Sequence, residues 1–316
     1  MVRTAGRLRT GIRSLVLTAA ATVAAAATLA ACSTAPSTGV RVSNGGVIQV
    51  IAAENFWGSI ASQVGGAHVH VVSVISNPNT DPHAYEPTAV DARNVALAQL
   101  VIENGIGYDT WMSDLVAASQ GSQVVLNVGK VLGVAPGGNP HRWYNPADVR
   151  AIVRTLVADY SRLDPANAGY FRRRQAYFET VGLRQYDRLI ATIRARYRGT
   201  PVGASESIFA MLAPALGLKL ITPYSFLKAI SEGTEVSAAD KQTIDNQIRR
   251  HLIKIYVYNS QNVTPDVQAQ LTLARAAHIP VTRITETLTP PNDTYQAWQV
   301  RQLQGIEAAL ARGTGH

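Results

Sequence analysis

Cysteine is almost absent: Cys32 is the only one in 316 residues. No intramolecular disulfide can therefore staple the fold, and if Cys32 carries a lipid no thiolate is left to act as nucleophile or metal ligand. Blocks of like charge are missing as well. Arg172–Arg174 is the one arginine cluster and lies inside a helical pattern, so no nucleic-acid partner is expected. The formal charge of +8 overstates the mature chain. Arg3, Arg7, Arg9 and Arg13 fall in the first 31 residues, which hold no acid, and the remainder has 25 Lys and Arg against 21 Asp and Glu. The chain also lacks an HExxH pair, a GxSxG elbow and a phosphate-binding glycine loop, which removes the usual marks of zinc hydrolases, serine hydrolases and ATPases.

What the N-terminus does have is a basic start, a mostly apolar run from Leu15 to Ala27, and LAAC at Leu29–Cys32. This is the layout of a secretory signal peptide. The run is short for a transmembrane helix, and the small residues before Cys32 resemble a lipobox, where bacteria attach lipid to cysteine and cleave just before it. Residues 1–31 are expected to be a signal peptide. Residues 32–46, small, polar and aperiodic, are expected to tether the anchored Cys32 to the folded part. About 270 residues remain, enough for two domains.

Short β-branched runs alternate with helical spacing through the first half. Strands are expected at Val47–Ala53, His68–Ile75, Leu100–Ile102 and Gln123–Val128, with helices at Asn55–Val64, Thr88–Gln99, Tyr108–Ala118 and Pro146–Leu163. Asp164-Pro165 then opens a proline-free stretch to Arg198 with helical periodicity, interrupted by Gly182. One helix of this length would extend about 50 Å and suit a strut between lobes. Alternation resumes with strands at Pro201–Ser205, Leu218–Thr222, Ile253–Tyr258 and Pro280–Ile284, and helices at Ile208–Leu216, Ser237–His251, Thr264–Ala277 and Thr294–Ala311. The fold class is α/β: two doubly wound parallel-sheet lobes, residues 47–163 and 199–316, joined by a linking helix over 164–198.

In open α/β sheets ligands bind beyond the carboxyl ends of the strands. Four side chains fall there. His83 stands in DPHAYEP (81–87) and His141 in NPHRWYNP (139–146), both loops stiffened by prolines. Glu206 follows the strand PVGAS and Glu286 the strand PVTRI. If the lobes face each other, the four meet in the cleft, and two imidazoles with two carboxylates suit a divalent first-row metal. Each also has a plainer role: a solvated loop residue, or, for Glu206, a negative charge at the start of a helix. His68 and His70 alternate with valines as exposed strand residues, and His251, His278 and His316 sit at helix ends or the tail.

These stretches together resemble the metal-binding solute-binding lipoproteins of bacterial ABC importers, the zinc/manganese type of cluster A-I periplasmic binding proteins. DPHAYEPT (81–88) resembles the first ligand loop of that family and NPHRWYNP the second. LDPANAGYF (163–171) resembles the start of its inter-lobe helix, and SEGTEVSAAD (231–240) and ITETL (284–288) its C-terminal landmarks. The resemblance implies His83, His141, Glu206 and Glu286 as metal ligands, with Glu206 standing as in the manganese-type branch and Glu286 where an aspartate is usual. The long histidine-rich loop of some zinc-type members is absent. The implied function is extracytoplasmic capture of Mn2+ or Zn2+, with Fe2+ possible, by a monomeric, non-enzymatic receptor anchored at Cys32 to the cell membrane, which hands its ion to an ABC permease. The alternatives are a zinc-dependent hydrolase and a metal-binding surface adhesin.

Overall fold

The computed structural model describes residues 46–315, so the signal peptide, Cys32 and the tether as far as residue 45 lie outside the described residues, as does His316. The described residues form one compact unit.

The first lobe runs β1 (Ile48–Glu54), α1 (Asn55–Gly65), β2 (Val69–Ile75), α2 (Ala89–Leu97), β3 (Leu100–Glu103), α3 (Thr110–Ala118), β4 (Val124–Asn127), α4 (Val128–Leu132) and α5 (Pro146–Leu163). Its strands pair in parallel in the order β2-β1-β3-β4. β1 is buried on both sides, as a central parallel strand must be. Ile48, Val50 and Ala52 enter the large core, whereas Ile51 and Ala53 meet Val101, Trp111 and Met112 on the other face. Side chains alternate across a strand, which is why one apolar run serves two layers. As expected, β2 is an edge strand with His70 exposed, but His68, expected beside it on the strand, sits half-buried in the 3-10 turn before it, 3.9 Å from Asp164.

The linking segment is a helical path, not one uninterrupted α-helix. A 3-10 turn at Pro165–Asn167 leads into α6 (Ala168–Tyr177), a π-type turn at Phe178–Gly182, and α7 (Arg184–Tyr197). Leu183 N bonds to Phe178 O, five residues back, at 2.8 Å. The widened turn coincides with Gly182, whose missing side chain makes it the poorest helix former of the stretch.

The second lobe repeats the plan: β5 (Pro201–Ala204), α8 (Ser207–Leu216), β6 (Lys219–Leu220), α9 (Tyr224–Ser231), α10 (Ala238–Arg249), β7 (Tyr256–Asn259), α11 (Pro265–Ala276), β8 (Val281–Ile284) and α12 (Tyr295–Thr314). Its parallel order, β6-β5-β7-β8, matches that of the first lobe although no sequence repeat betrays it. Gly217 ends α8 at φ 68°, a left-handed cap that favours glycine. The short helices α4 and α9 are absent from the sequence reading. β6 is cut to two residues because the chain turns into α9 almost at once.

The lobes are joined by more than the helical path. Within the first lobe Phe56 of α1 stacks on Trp143 at 3.8 Å and 16°, and the second lobe docks on that pair. The Tyr295 hydroxyl of α12 donates to Trp143 O at 2.6 Å, and that of Tyr144 to Thr285 O at 2.6 Å. Asn55, buried at the start of α1, donates to Leu288 O and accepts from Leu288 N, at 3.0 and 3.1 Å. A buried backbone group left without its partner costs about 1–3 kcal/mol. Asn55→Ala is therefore expected to destabilise the metal-free protein by about that amount. Urea unfolding should show a lower midpoint at unchanged slope.

Candidate metal centre

Sheet order reverses between β1 and β3 in one lobe and between β5 and β7 in the other, and the strand ends there deliver the site. After β2 the chain makes an Asx turn: Asp81 Oδ1 accepts from His83 N at 2.9 Å. Pro82 O is held by Trp111 Nε1 at 3.2 Å, while the Tyr85 hydroxyl and Thr88 close on Asp91, which forms a capping box for α2. The DPHAYEPT loop is thus pinned on both sides of an exposed imidazole. The His83 ring lies edge-on to Tyr108 at 4.6 Å.

His141 is the opposite case, only 1% exposed. Asn139 Oδ1 accepts from His141 N and faces Nδ1 at 2.9 Å; Ser207 Oγ lies 3.2 Å from the same nitrogen. A proton on Nδ1 facing Asn139 would leave Nε2 to a cation; in the metal-free protein Nε2 faces Glu286 Oε1, 3.6 Å away. Fixing one nitrogen by a hydrogen bond to free the other is how proteins prepare an imidazole for a cation. Burial, the largest influence, lowers the His141 pKa, against the opposing pull of Glu286.

Glu206 begins α8 but does not cap it, for its side chain makes no cap bond. Instead Oε2 accepts from Asn259 Nδ2 at 3.0 Å, and Oε1 is buried without a hydrogen-bond partner. Burial and then the charge of Glu286 push its pKa up to about 8, against the amides of Asn259 and Asn262. Glu286 follows β8. Its Oε1 accepts from the Tyr108 hydroxyl at 2.8 Å, its Oε2 lies 3.4 Å from Asn259 Nδ2, and its backbone oxygen accepts from Trp143 Nε1 at 3.1 Å. Burial alone would raise the Glu286 pKa. The bond to His141, the charges of His141 and His83, and the Tyr108 hydroxyl outweigh it and lower the value.

The structure thus brings all four expected residues to one inter-lobe region. His83 and Glu286 line a cavity of about 420 Å³ together with Asp81, Asn139, Ser207 and Gln261. His141 and Glu206 are buried beside it, in contact with its lining through Ser207 and Asn259. Among the described residues, however, no three His, Cys, Asp or Glu side chains stand close enough to ligate one ion together. Tyr108 meets both His83 and Glu286, and Asn259 bridges the two glutamates.

Tyr108, Asn139 and Asn259 are absent from the sequence reading, although the two asparagines each have a signal. Asn259 is the polar residue ending the apolar run IKIYVYN, and Asn139 stands two residues before His141. Glu54 is a further buried acid that the sequence does not betray. It ends β1 fully buried, and burial followed by the charge of Asp109 raises its pKa well above the usual range.

Two α/β lobes of identical strand order, linked by a helical path and enclosing a polar, acid- and imidazole-lined cavity, define a solute-binding protein fold. Residues 50–309 match the family model of ZnuA, the periplasmic component A of the zinc-uptake complex, and the chain belongs to that family. Its members are binding components of importers, not enzymes, so the hydrolase alternative falls away. The high-affinity zinc uptake system protein ZnuA of Bacillus subtilis is 23% identical over 206 residues, which is 59% of this chain and 63% of that protein. The manganese ABC transporter substrate-binding lipoprotein PsaA of Streptococcus mitis is 22% identical over 265 residues, 76% of this chain and 80% of the relative. The Mn-bound periplasmic metal binding protein of Candidatus Liberibacter asiaticus superposes with TM-score 0.69 at 19% identity, over 83% of this chain and 98% of that one.

Proposed function

We propose that this protein captures a divalent transition-metal ion, Mn2+ or Zn2+, between its lobes and delivers it to the permease of an ABC importer. The observation that supports this reading is that His83 and Glu286 line one cavity, with His141 Nε2 facing Glu286 and the partnerless Oε1 of Glu206 buried beside it. A buried carboxylate oxygen without a partner is costly unless a cation or proton meets it. His83 and His141 would supply neutral nitrogen, Glu206 and Glu286 hard anionic oxygen. Zn2+ binds most such sites more tightly than Mn2+. Two carboxylates, each able to give two oxygens, favour the harder ions Mn2+ and Fe2+ as cargo. Competitive binding at controlled free Mn2+ and Zn2+, with elemental analysis of protein recovered from its native envelope, tests the reading. One ion per chain is expected; absence of binding to either ion refutes it.

The site of action follows from the N-terminus. The chain is read as a monomer held outside the cytoplasm by lipid on Cys32, consistent with relatives named as lipoproteins. The boundaries of that reading are a signal peptide over residues 1–31, a tether over 32–46, lobes over 47–163 and 199–316, and the link over 164–198. Cys32→Ser is expected to move the protein to the soluble fraction or to leave its signal peptide uncleaved. Fractionation and mass measurement check this; a fully processed mutant that stays with the membrane would refute the anchor.

A further inference from the structure

Positive charge is not spread evenly over this protein. From Ser161 to Arg198 nine arginines stand against three acids, a surplus of six, whereas the whole chain beyond residue 31 has a surplus of only four. The basic segment is the helical path through α6, the wide turn and α7. Phe171, Phe178, Leu183, Tyr186, Ile193 and Tyr197 turn inward and are buried. Arg173, Tyr177, Val181, Arg184 and Arg188 are exposed or nearly so. Steps of four, four, three and four residues align those five along one stripe. Its length is about 22 Å at 1.5 Å per residue.

Two features separate this stripe from an ordinary solvated face. First, its arginines are not neutralised: within the segment the arginines paired with carboxylates are Arg162 and Arg196, neither on the stripe. Second, apolar groups are interleaved with them, Tyr177 at 55% exposure and Val181 at 40%. Guanidinium groups that grip phosphate, beside a tyrosine ring and an isopropyl group at the same level, are the chemistry of a helix lying in a bilayer interface. An acidic protein partner would explain the arginines alone.

The point where the chain enters the fold adds to this. Ile48 at the start of β1 pairs with Val69 at the start of β2. The turn just before Val69 touches α6, for Ala67 N donates to the Tyr170 hydroxyl at 3.1 Å. The entering chain therefore lies beside the head of α6, at the amino ends of the strands, away from the cavity. The short tether between Cys32 and Gly46 reaches at most about 50 Å.

We infer that the stripe Arg173–Tyr177–Val181–Arg184–Arg188 rests on the anionic lipid headgroups of the membrane, leaving the cavity open to solution. The contact goes beyond the metal site and is tested without any lipid anchor. The probe is the chain from Ser33 onward, which contains all of the described compact unit, residues 46–315. Vesicles of phosphatidylglycerol with phosphatidylcholine are compared with vesicles of phosphatidylcholine alone, by co-sedimentation at low and high salt. Wild type is expected to bind the anionic vesicles, to lose them at high salt, and to ignore the neutral ones. The triple variant R173Q/R184Q/R188Q should partition about a hundredfold more weakly, on the order of fivefold per arginine. Tyr177→Ser should weaken binding while leaving the salt dependence in place. Unchanged Mn2+ titration of the triple variant shows that the fold is intact. No binding of wild type to anionic vesicles, equal binding by the triple variant, or binding only to vesicles that hold the importer's membrane subunits would overturn the inference.

Discussion

Metal affinity is expected to climb about tenfold per pH unit up to about pH 8 and then level off, and Glu206→Gln is expected to remove both the climb and tight binding. At neutral pH the buried Glu206 carboxyl mostly holds a proton in the metal-free protein, so an ion must expel it to reach the oxygen. Glutamine keeps the shape and loses the charge, so affinity for both ions should fall by more than about a hundredfold, beyond what loss of a group merely supporting a ligand costs. Glu206→His should instead weaken Mn2+ more than Zn2+, since one neutral nitrogen suits zinc better. Were Glu206 only a helix-end charge, either change would alter stability by about 0.3–1 kcal/mol and leave the binding constants alone. Calorimetric titration across pH, beside melts of the metal-free forms, separates the two roles.

The same shift has a consequence for the metal-free fold. Glu206 prefers its proton when buried, so the stability it contributes is fullest in acid and declines as pH rises from the ordinary carboxyl range toward about 8. Buried His141 acts in the other sense. Its pKa is lowered in the fold, so stability falls as pH drops below the ordinary imidazole range, where the unfolded chain takes up a proton the fold resists. A bound ion removes both penalties at neutral pH.

The second large effect separates the two histidines. His83→Ala and His141→Ala should each weaken Mn2+ and Zn2+ binding more than about a hundredfold. Their effects on the metal-free protein should differ. His83 is exposed on a loop pinned by Asp81 and Trp111, so its loss should leave the melt almost unchanged. His141 is buried against Asn139 and Ser207, and its loss strands their polar atoms at a cost of about 1–3 kcal/mol. Unchanged affinity in either variant would remove that histidine from the site.

Most of the fold was legible because its parallel strands are short, apolar and β-branched, and its helices carry clear starts such as Asn145-Pro146 and Thr264-Pro265. The four candidate ligands were legible because strand ends in an open α/β sheet are where ligands meet. What the sequence hid depends on tertiary contact. Nothing in YNSQ says that Asn259 will bridge two glutamates, and nothing local says that the Tyr108 hydroxyl will reach Glu286 across 178 residues. The aromatic joint of Phe56, Trp143 and Tyr295 was invisible for the same reason. The π-type turn at Phe178–Gly182 was half visible: Gly182 marks the weak point, but a wide turn and a kink read alike in sequence.

One ion is expected to be held by two imidazoles and two carboxylates drawn from both lobes. X-ray absorption at the zinc edge of the zinc-loaded protein tests it most directly, because imidazole rings leave a distinct multiple-scattering signature. The expected spectrum is that of one zinc per chain, bound by two imidazoles with the remaining donors oxygen and no sulfur, with loss of the imidazole signal in H83A/H141A. A spectrum fitted by oxygen alone, or an unaltered imidazole signal in that double variant, would contradict it.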